Sequence, residues 1–184
     1  NRDSKPYDEM ILHAVSKMNP PIKANKSIFD FGCGVGAALK TINEHYNNSL
    51  IIGGSDLSIN AINKIKEIFP NKKNNFFKLG MTDRHPLPNN SQDHVISIGA
   101  LGMYLYKNEM LVAIKEAVRI TKPGGSLCFT NFIHPQGKFR GSILDKVKKS
   151  FWYIELPKLN LENIKIHNMI YQEDRYLIVC NKKL

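Results

Sequence analysis

No stretch of this chain approaches the roughly 18 consecutive apolar residues that a membrane-spanning helix needs. The basic, apolar and small-residue succession of a secretory leader is missing as well. These absences predict no membrane partner. Cysteine is sparse. Cys33, Cys128 and Cys180 stand singly, in no CxxC pair, and their number is odd. Such usage argues against a disulfide framework and a structural zinc, and it predicts reduced thiols in a cytoplasmic compartment. No cluster of acids has metal-ligand spacing, so no metal site is expected. Arginine is scarce too, because lysine supplies 21 of the 26 basic residues. Arginine is the better reader of phosphate. The formal net charge of +10 therefore reflects a lysine-, asparagine- and isoleucine-rich composition, of the kind an AT-rich genome encodes, more than a nucleic-acid interface. No repeat is visible. Low complexity is confined to the short stretches KANK at 23–26 and NKKNN at 71–75, which read as surface loops.

What is present describes an ordinary globular chain. With 184 residues, 42% of them hydrophobic and 23% charged, it can bury a core as one domain. Apolar residues recur at helical spacing in 7–18, 37–46, 58–69 and 107–121, with Ser58 placed to cap the third of these. Between them lie short β-prone runs at 27–31, 50–55, 75–79, 93–98 and 126–133, the last preceded by the turn Lys122-Pro123-Gly124-Gly125. Strand and helix alternate, which predicts an α/β fold with a parallel sheet. The pattern then changes. Residues 137–150 are basic and suggest a short helix. Residues 164–171 and 176–182 read as two strands joined by Gln172-Glu173-Asp174-Arg175, an antiparallel hairpin.

The richest segment is IFDFGCGVGAAL at 28–39. A strand runs into Gly32, Gly34 and Gly36 and then into a helix, which lets a ligand lie against bare backbone. Asp30 sits within the strand and suits a cationic ligand better than a phosphate. In an open α/β sheet, ligands bind beyond the carboxyl ends of the strands. Asp56 arrives there at the end of strand two, fit to accept from two ribose hydroxyls. Met81, Thr82 and Asp83 follow strand three, where an adenine would lie on Met81 with its amino group on Asp83. Gly99-Ala100-Leu101-Gly102 follows strand four, small enough for a ligand to press on its backbone.

These pieces together resemble the class I S-adenosylmethionine-dependent methyltransferases. The resemblance rests on DFGCGVG at 30–36, Asp56, GMTDRHPLPNNSQDHVIS at 80–97 and TKPGG at 121–125, and it covers about residues 27–133. It implies a Rossmann-like three-layer sandwich with a mostly parallel seven-stranded sheet ending in an antiparallel hairpin. It implies S-adenosylmethionine as cofactor and S-adenosylhomocysteine as product. By resemblance Gly32, Gly34 and Gly36, with Cys33 between them, meet the methionine part. Asp56 with Leu57 holds the ribose, Thr82 with Asp83 holds adenine, and Asp30 acts near the methionine amine. Gly99 lies against the cofactor and Tyr7 covers it as part of an N-terminal lid. The expected organisation is one domain over 1–184, with a lid at 1–26, a cofactor-binding core at 27–134 and an acceptor-side segment at 135–184. Gly32, Gly34 and Ala37 also satisfy the G-x-G-x-x-A dinucleotide pattern. Asp30, which would repel a pyrophosphate, the proline loop and the lack of a second domain favour the methyltransferase reading.

The acceptor side is less legible. His134, Tyr104 and Asn131 are the candidate catalytic or acceptor-positioning residues, with Tyr106 beside Tyr104. His85 reads as an exposed loop residue and His94 as the start of a strand. The segment ISIGALGM lacks the Asn/Asp-Pro-Pro-aromatic motif by which relatives methylate planar amino groups, and no Pro-Cys pair follows strand four. Methylation of adenine or glutamine amino groups and covalent cytosine methylation are therefore disfavoured. The basic run LDKVKKSFW at 144–152 reads as a solvated helix face with Phe151 and Trp152 inward. The favoured expectation is methyl transfer to a small-molecule or peptide nitrogen or oxygen. The alternatives are a non-catalytic cofactor-binding subunit that activates a partner, and an RNA-directed methyltransferase.

Overall fold

A computed structural model describes residues 5–132 and 147–184. Its elements run α1 (Lys5–Ser16), β1 (Ser27–Phe31), α2 (Ala37–His45), β2 (Ile51–Asp56), α3 (Ile59–Ile68), β3 (Phe76–Lys78), β4 (Gln92–Ser97), α4 (Leu101–Tyr104), α5 (Lys107–Ile120), β5 (Thr121–Phe132), α6 (Lys149–Glu155), β6 (Leu161–Met169) and β7 (Gln172–Lys182). Seven strands form one sheet in the order β3-β2-β1-β4-β5-β7-β6. The first five are mutually parallel, and β7 runs antiparallel to both its neighbours.

Every residue of β1 is buried, as a central strand covered on both faces must be. Side chains alternate across the sheet. Ile28 packs with Ile11, Leu39, Ile42 and Ile65 from α1, α2 and α3. Phe29 and Phe31 face the opposite layer, with Met110, Ile114 and Trp152 from α5 and α6. Helices on both faces make the three-layer, Rossmann-like sandwich. The Ser58 cap is present, its Oγ accepting the amide of Ala61 at 3.2 Å.

Three local features differ from the sequence reading. The Lys122–Gly125 turn lies inside β5 as a bulge, where two residues of β4 advance against five of β5 between the pairs Gln92–Thr121 and His94–Ser126. The small segment after β4 winds into the single helical turn α4, with the Leu101 amide on Ser97 Oγ at 3.2 Å. The hairpin turns at Ile170 and Tyr171, because Met169 pairs directly with Gln172. Gln172–Arg175 are thus strand residues. Tyr171 takes the left-handed conformation, φ 58°, a role the sequence does not advertise with the usual Gly or Asn.

His134 and residues 137–146 of the expected basic helix lie outside the described residues. In the part that is described, Trp152 is fully buried, and its indole N–H donates to the Tyr176 hydroxyl at 2.6 Å. Among the described residues, no helix is long and apolar enough to cross a membrane.

Candidate functional site

The glycine turn is built by packing as much as by conformation. Gly32 and Cys33 donate their amides to Ser55 O at 2.8 and 2.9 Å, which ties the turn to β2. A Cβ on Gly32 would stand 2.5 Å from the Ala100 Cβ, and one on Gly36 would stand 2.6 Å from Ile65. These two glycines are required by the protein's own close approaches. Gly34 differs: it has φ +51° and nothing within 4 Å of its missing Cβ. It is the one glycine of the three whose bare backbone faces open space. Cys33 turns its side chain inward against Gly54, so only its backbone belongs to the turn. Burial pushes the Cys33, Cys128 and Cys180 thiols up, away from the thiolate form.

Asp56 closes β2 with both carboxylate oxygens engaged. One accepts the Gly34 amide at 2.9 Å and the other the Ser58 amide at 2.8 Å. Beside it opens a cavity of ≈ 440 Å³ lined by Gly32, Asp56, Leu57, Met81, Thr82, Asp83, Ala100 and Tyr104, among others. That size lies within the usual range for small-molecule sites. Asp83 accepts the Gly80 amide at 2.7 Å, which shapes the loop after β3.

Asp30 lies deeper in β1. It is 2% exposed, and its Oδ1 has no hydrogen-bond partner among the described residues. Burial, and then the negative charge of Asp56, hold its carboxyl well above the usual carboxylate range. A buried carboxyl left this way is suited to a cationic ligand, which would favour its charged form. Tyr7 on α1 is near enough to feel Asp30. Its phenol is pushed up to about 12 by burial first, then by Asp30 and Asp8, against an opposing pull from Arg175. The helix that carries it is tied on two sides. Asp8 accepts from Thr41 of α2 at 2.5 Å, and Glu9 accepts from the Tyr171 hydroxyl of the hairpin at 2.6 Å.

The sequence candidates divide accordingly. Gly32, Asp56, Leu57, Met81, Thr82 and Asp83 line one cavity. Gly99 donates its amide to Thr130 Oγ1 at 2.7 Å at the end of β4. Tyr104 lines the same cavity as Asp56, and Tyr106 opens α5 with its amide on Glu109 at 2.8 Å. Asn131 pairs through its backbone with Tyr176. His85 is corrected: it is buried, not exposed. Its Nδ1 meets the Asp83 carbonyl at 2.9 Å and its Nε2 the Ser55 hydroxyl at 2.8 Å. A carbonyl only accepts, so Nδ1 carries the proton and Ser55 donates to Nε2. Burial lowers its pKa, and the ring serves as a neutral pin beneath the loop after β3. Two residues were missed. Glu109 reaches the cavity wall, signalled only by its place three residues into a helix. Arg175 stands near Gly99, hidden in what read as a turn.

The family model described as a methyltransferase domain matches residues 29–129. No curated protein matches the chain by sequence. Solved structures share its fold at low identity. A complex of the Haloferax volcanii Trm112 methyltransferase activator with a putative methyltransferase aligns with TM-score 0.77 and 16% identity, over 99% of this chain and 92% of that one. Phosphoethanolamine N-methyltransferase 2 of Haemonchus contortus, in complex with phosphomonomethylethanolamine and S-adenosylhomocysteine, aligns with TM-score 0.75 and 14% identity, over 96% and 53%. The cyclase SpnF aligns with TM-score 0.76 and 15% identity, over 96% and 82%.

Proposed function

This chain belongs to the methyltransferase-domain family, and we propose that it transfers a methyl group from S-adenosylmethionine to a nitrogen or oxygen of a small-molecule or peptide acceptor. The observation that carries the reading is Asp30, a buried carboxyl group with an oxygen unpartnered among the described residues, behind a glycine turn that opens at Gly34. A cationic amino-acid end seated there relieves the buried acid, and a nucleoside end fits the adjoining cavity.

Placement supports the following residue roles. The Gly32–Gly36 turn takes the methionine part against its backbone, and Asp30 balances its amine. Asp56 with Leu57 takes the ribose. Met81, Thr82 and Asp83 take the adenine, with Tyr104 lining the same cavity. Tyr7 covers the site from α1. When bound, the cofactor supplies an electrophilic methyl carbon. An acceptor held in line would form the new bond through its lone pair, leaving the carbon–sulfur pair on sulfur, and an amine or hydroxyl would release one proton to solvent. The protein's contribution is mostly alignment, worth up to about 7–11 kcal/mol in favourable cases. His134 and Asn131 remain our candidates for positioning the acceptor at the end of β5. We read 1–26 as lid, 27–134 as cofactor core and 135–184 as acceptor side.

A second reading, a cofactor-binding subunit that works with a partner, is favoured by exposed apolar side chains beside the site. Leu57 is 70% exposed, Val35 50% and Ile59 48%. Calorimetric titration with S-adenosylmethionine and S-adenosylhomocysteine, with Asp56→Ala as control, tests the cofactor. Saturable binding lost in the variant supports the proposal. Binding without transfer to any acceptor favours the subunit reading, and no binding by the folded chain rejects both.

A further inference from the structure

Arg175 is used by none of the roles above, yet it stands at the productive edge of the sheet. It pairs with Phe132, at the end of β5. Leu177 and Val179 on the same strand face the core beneath α1. Alternation along β7 puts Arg175 on their face, the face that Ile28 and Asp30 share on β1. The guanidinium reaches back across the strand ends. Its Nη1 lies 4.0 Å from where a Cβ on Gly99 would stand. Tyr7 feels its positive charge together with the negative charge of Asp30. An acid, a phenol and a guanidinium therefore gather beneath the first turns of α1.

The sheet order separates their tasks. β2 and β3 lie on one side of β1, while β4, β5 and β7 lie on the other. The ≈ 440 Å³ cavity is lined from the ends of β1, β2 and β3 and by Ala100, Tyr104, Leu105 and Glu109 after β4, and Arg175 is not among its lining residues. On the cofactor reading, with adenine beside β3 and the methionine part beside β1, the reactive end would lie toward β4. The next place along that edge is the one Arg175 faces, beside Gly99. An arginine fork matches two oxygens of a carboxylate or phosphate at once.

We propose that Arg175 recognises the acceptor, and that the acceptor is a small molecule bearing an oxyanion, held so that its nucleophilic atom sits beside Gly99. The proposal rests on the cofactor reading given above. An acid at Asp30, whose charged form a cation would favour, and the guanidinium of Arg175 give the two ligands distinguishable seats. A neutral acceptor loses the charged contact, and a cationic one meets repulsion.

The test uses the full chain and matched pairs of small acceptors: an amino acid beside its amide, a phosphorylated amino alcohol beside the free alcohol, and a hydroxy acid beside its ester. Labelled methyl transfer from S-adenosylmethionine is followed for wild type, Arg175→Lys and Arg175→Ala. Calorimetry with S-adenosylhomocysteine and thermal unfolding accompany each variant. The expected result is transfer to the anionic member of at least one pair. Arg175→Ala then raises KM for it about 10- to 100-fold while cofactor affinity stays within about twofold. Arg175→Lys retains part of the recognition. Equal transfer to the neutral members, no transfer to any anionic member, or loss of cofactor affinity in Arg175→Ala overturns the assignment. Wild type that fails to bind S-adenosylhomocysteine overturns the cofactor reading first, and calorimetry reports that before an acceptor is added.

Discussion

The carboxylate of Asp56 accepts the backbone amide of Gly34 at 2.9 Å. The end of β2 thus holds the one glycine of the turn with open space at its missing Cβ. The pairing joins two residues 22 positions apart, so the acid that suits a ribose also shapes the turn that suits the rest of the ligand.

Replacing Asp56 should therefore harm binding twice over. Asp56→Ala removes the ribose acceptor and releases Gly34, and S-adenosylhomocysteine affinity should fall by about 10-fold or more. Asp56→Asn keeps one acceptor oxygen and should fall between wild type and alanine. Calorimetry measures the affinities, and circular dichroism checks that the fold is retained.

The three turn glycines should separate in a stability assay. Gly32→Ala and Gly36→Ala force a methyl group into Ala100 and Ile65, costing about 1–3 kcal/mol from overpacking besides the strain of a left-handed backbone. Gly34→Ala meets no neighbour and should cost only the conformational strain, roughly 1–2 kcal/mol. On the proposed reading its larger effect should be on cofactor affinity, since its methyl group would project from the turn that takes the methionine part. Thermal unfolding beside calorimetric titration distinguishes the two classes.

Asp30 should couple cofactor binding to protons. Its pKa is raised in the folded chain, by burial first and then by Asp56. The folded state therefore binds more protons than the unfolded state above the ordinary carboxylate range. Its contribution to stability is lost as pH rises through that window. A cationic ligand favours the ionised form, so affinity should increase with pH and binding should release protons. Asp30→Asn should raise the melting temperature at neutral pH and weaken binding. Titrations in two buffers of different ionisation enthalpy measure the proton release.

Acid should destabilise the fold well above the carboxylate range. His94, 2% exposed, is lowered by burial to about 4, against about 6.5 when unfolded. The unfolded state takes up a proton across that window and the folded state resists, so stability falls as pH drops from about 6.5 to about 4, by an amount of order 3 kcal/mol. His85, also lowered by burial, adds in the same direction. His94→Asn should flatten the slope of melting temperature against pH between 7 and 4, whatever its effect at pH 7.

Much of the architecture was legible because it depends on neighbours in the chain. The run SIFDF reads as a buried strand, and the serine cap at Ser58 is a contact spanning three residues. The hairpin was legible as two strands but not in its turn. Tyr171 carries no turn signature, and what holds it includes a bond to Glu9, 162 residues away. Shifting that turn moved Arg175 from a loop onto a strand. His85 was misread for a related reason. Its sequence neighbours Arg84 and Pro86 suggest an exposed loop, while the partners that bury it come from β1, β2 and α5.

Local sequence alone accounts for the α/β alternation, the glycine turn and the acids within or after the first three strands. Each depends on backbone preferences and side-chain periods that act over a few residues. Which glycine is left open, which oxygen of Asp30 has no partner among the described residues, and that Tyr104 and Asp56 line one cavity emerge only from the folded chain. It alone brought Arg175 beside Gly99. Those relations arise where strands distant in sequence become neighbours in the sheet, and the packing of both helical layers sets how their ends meet.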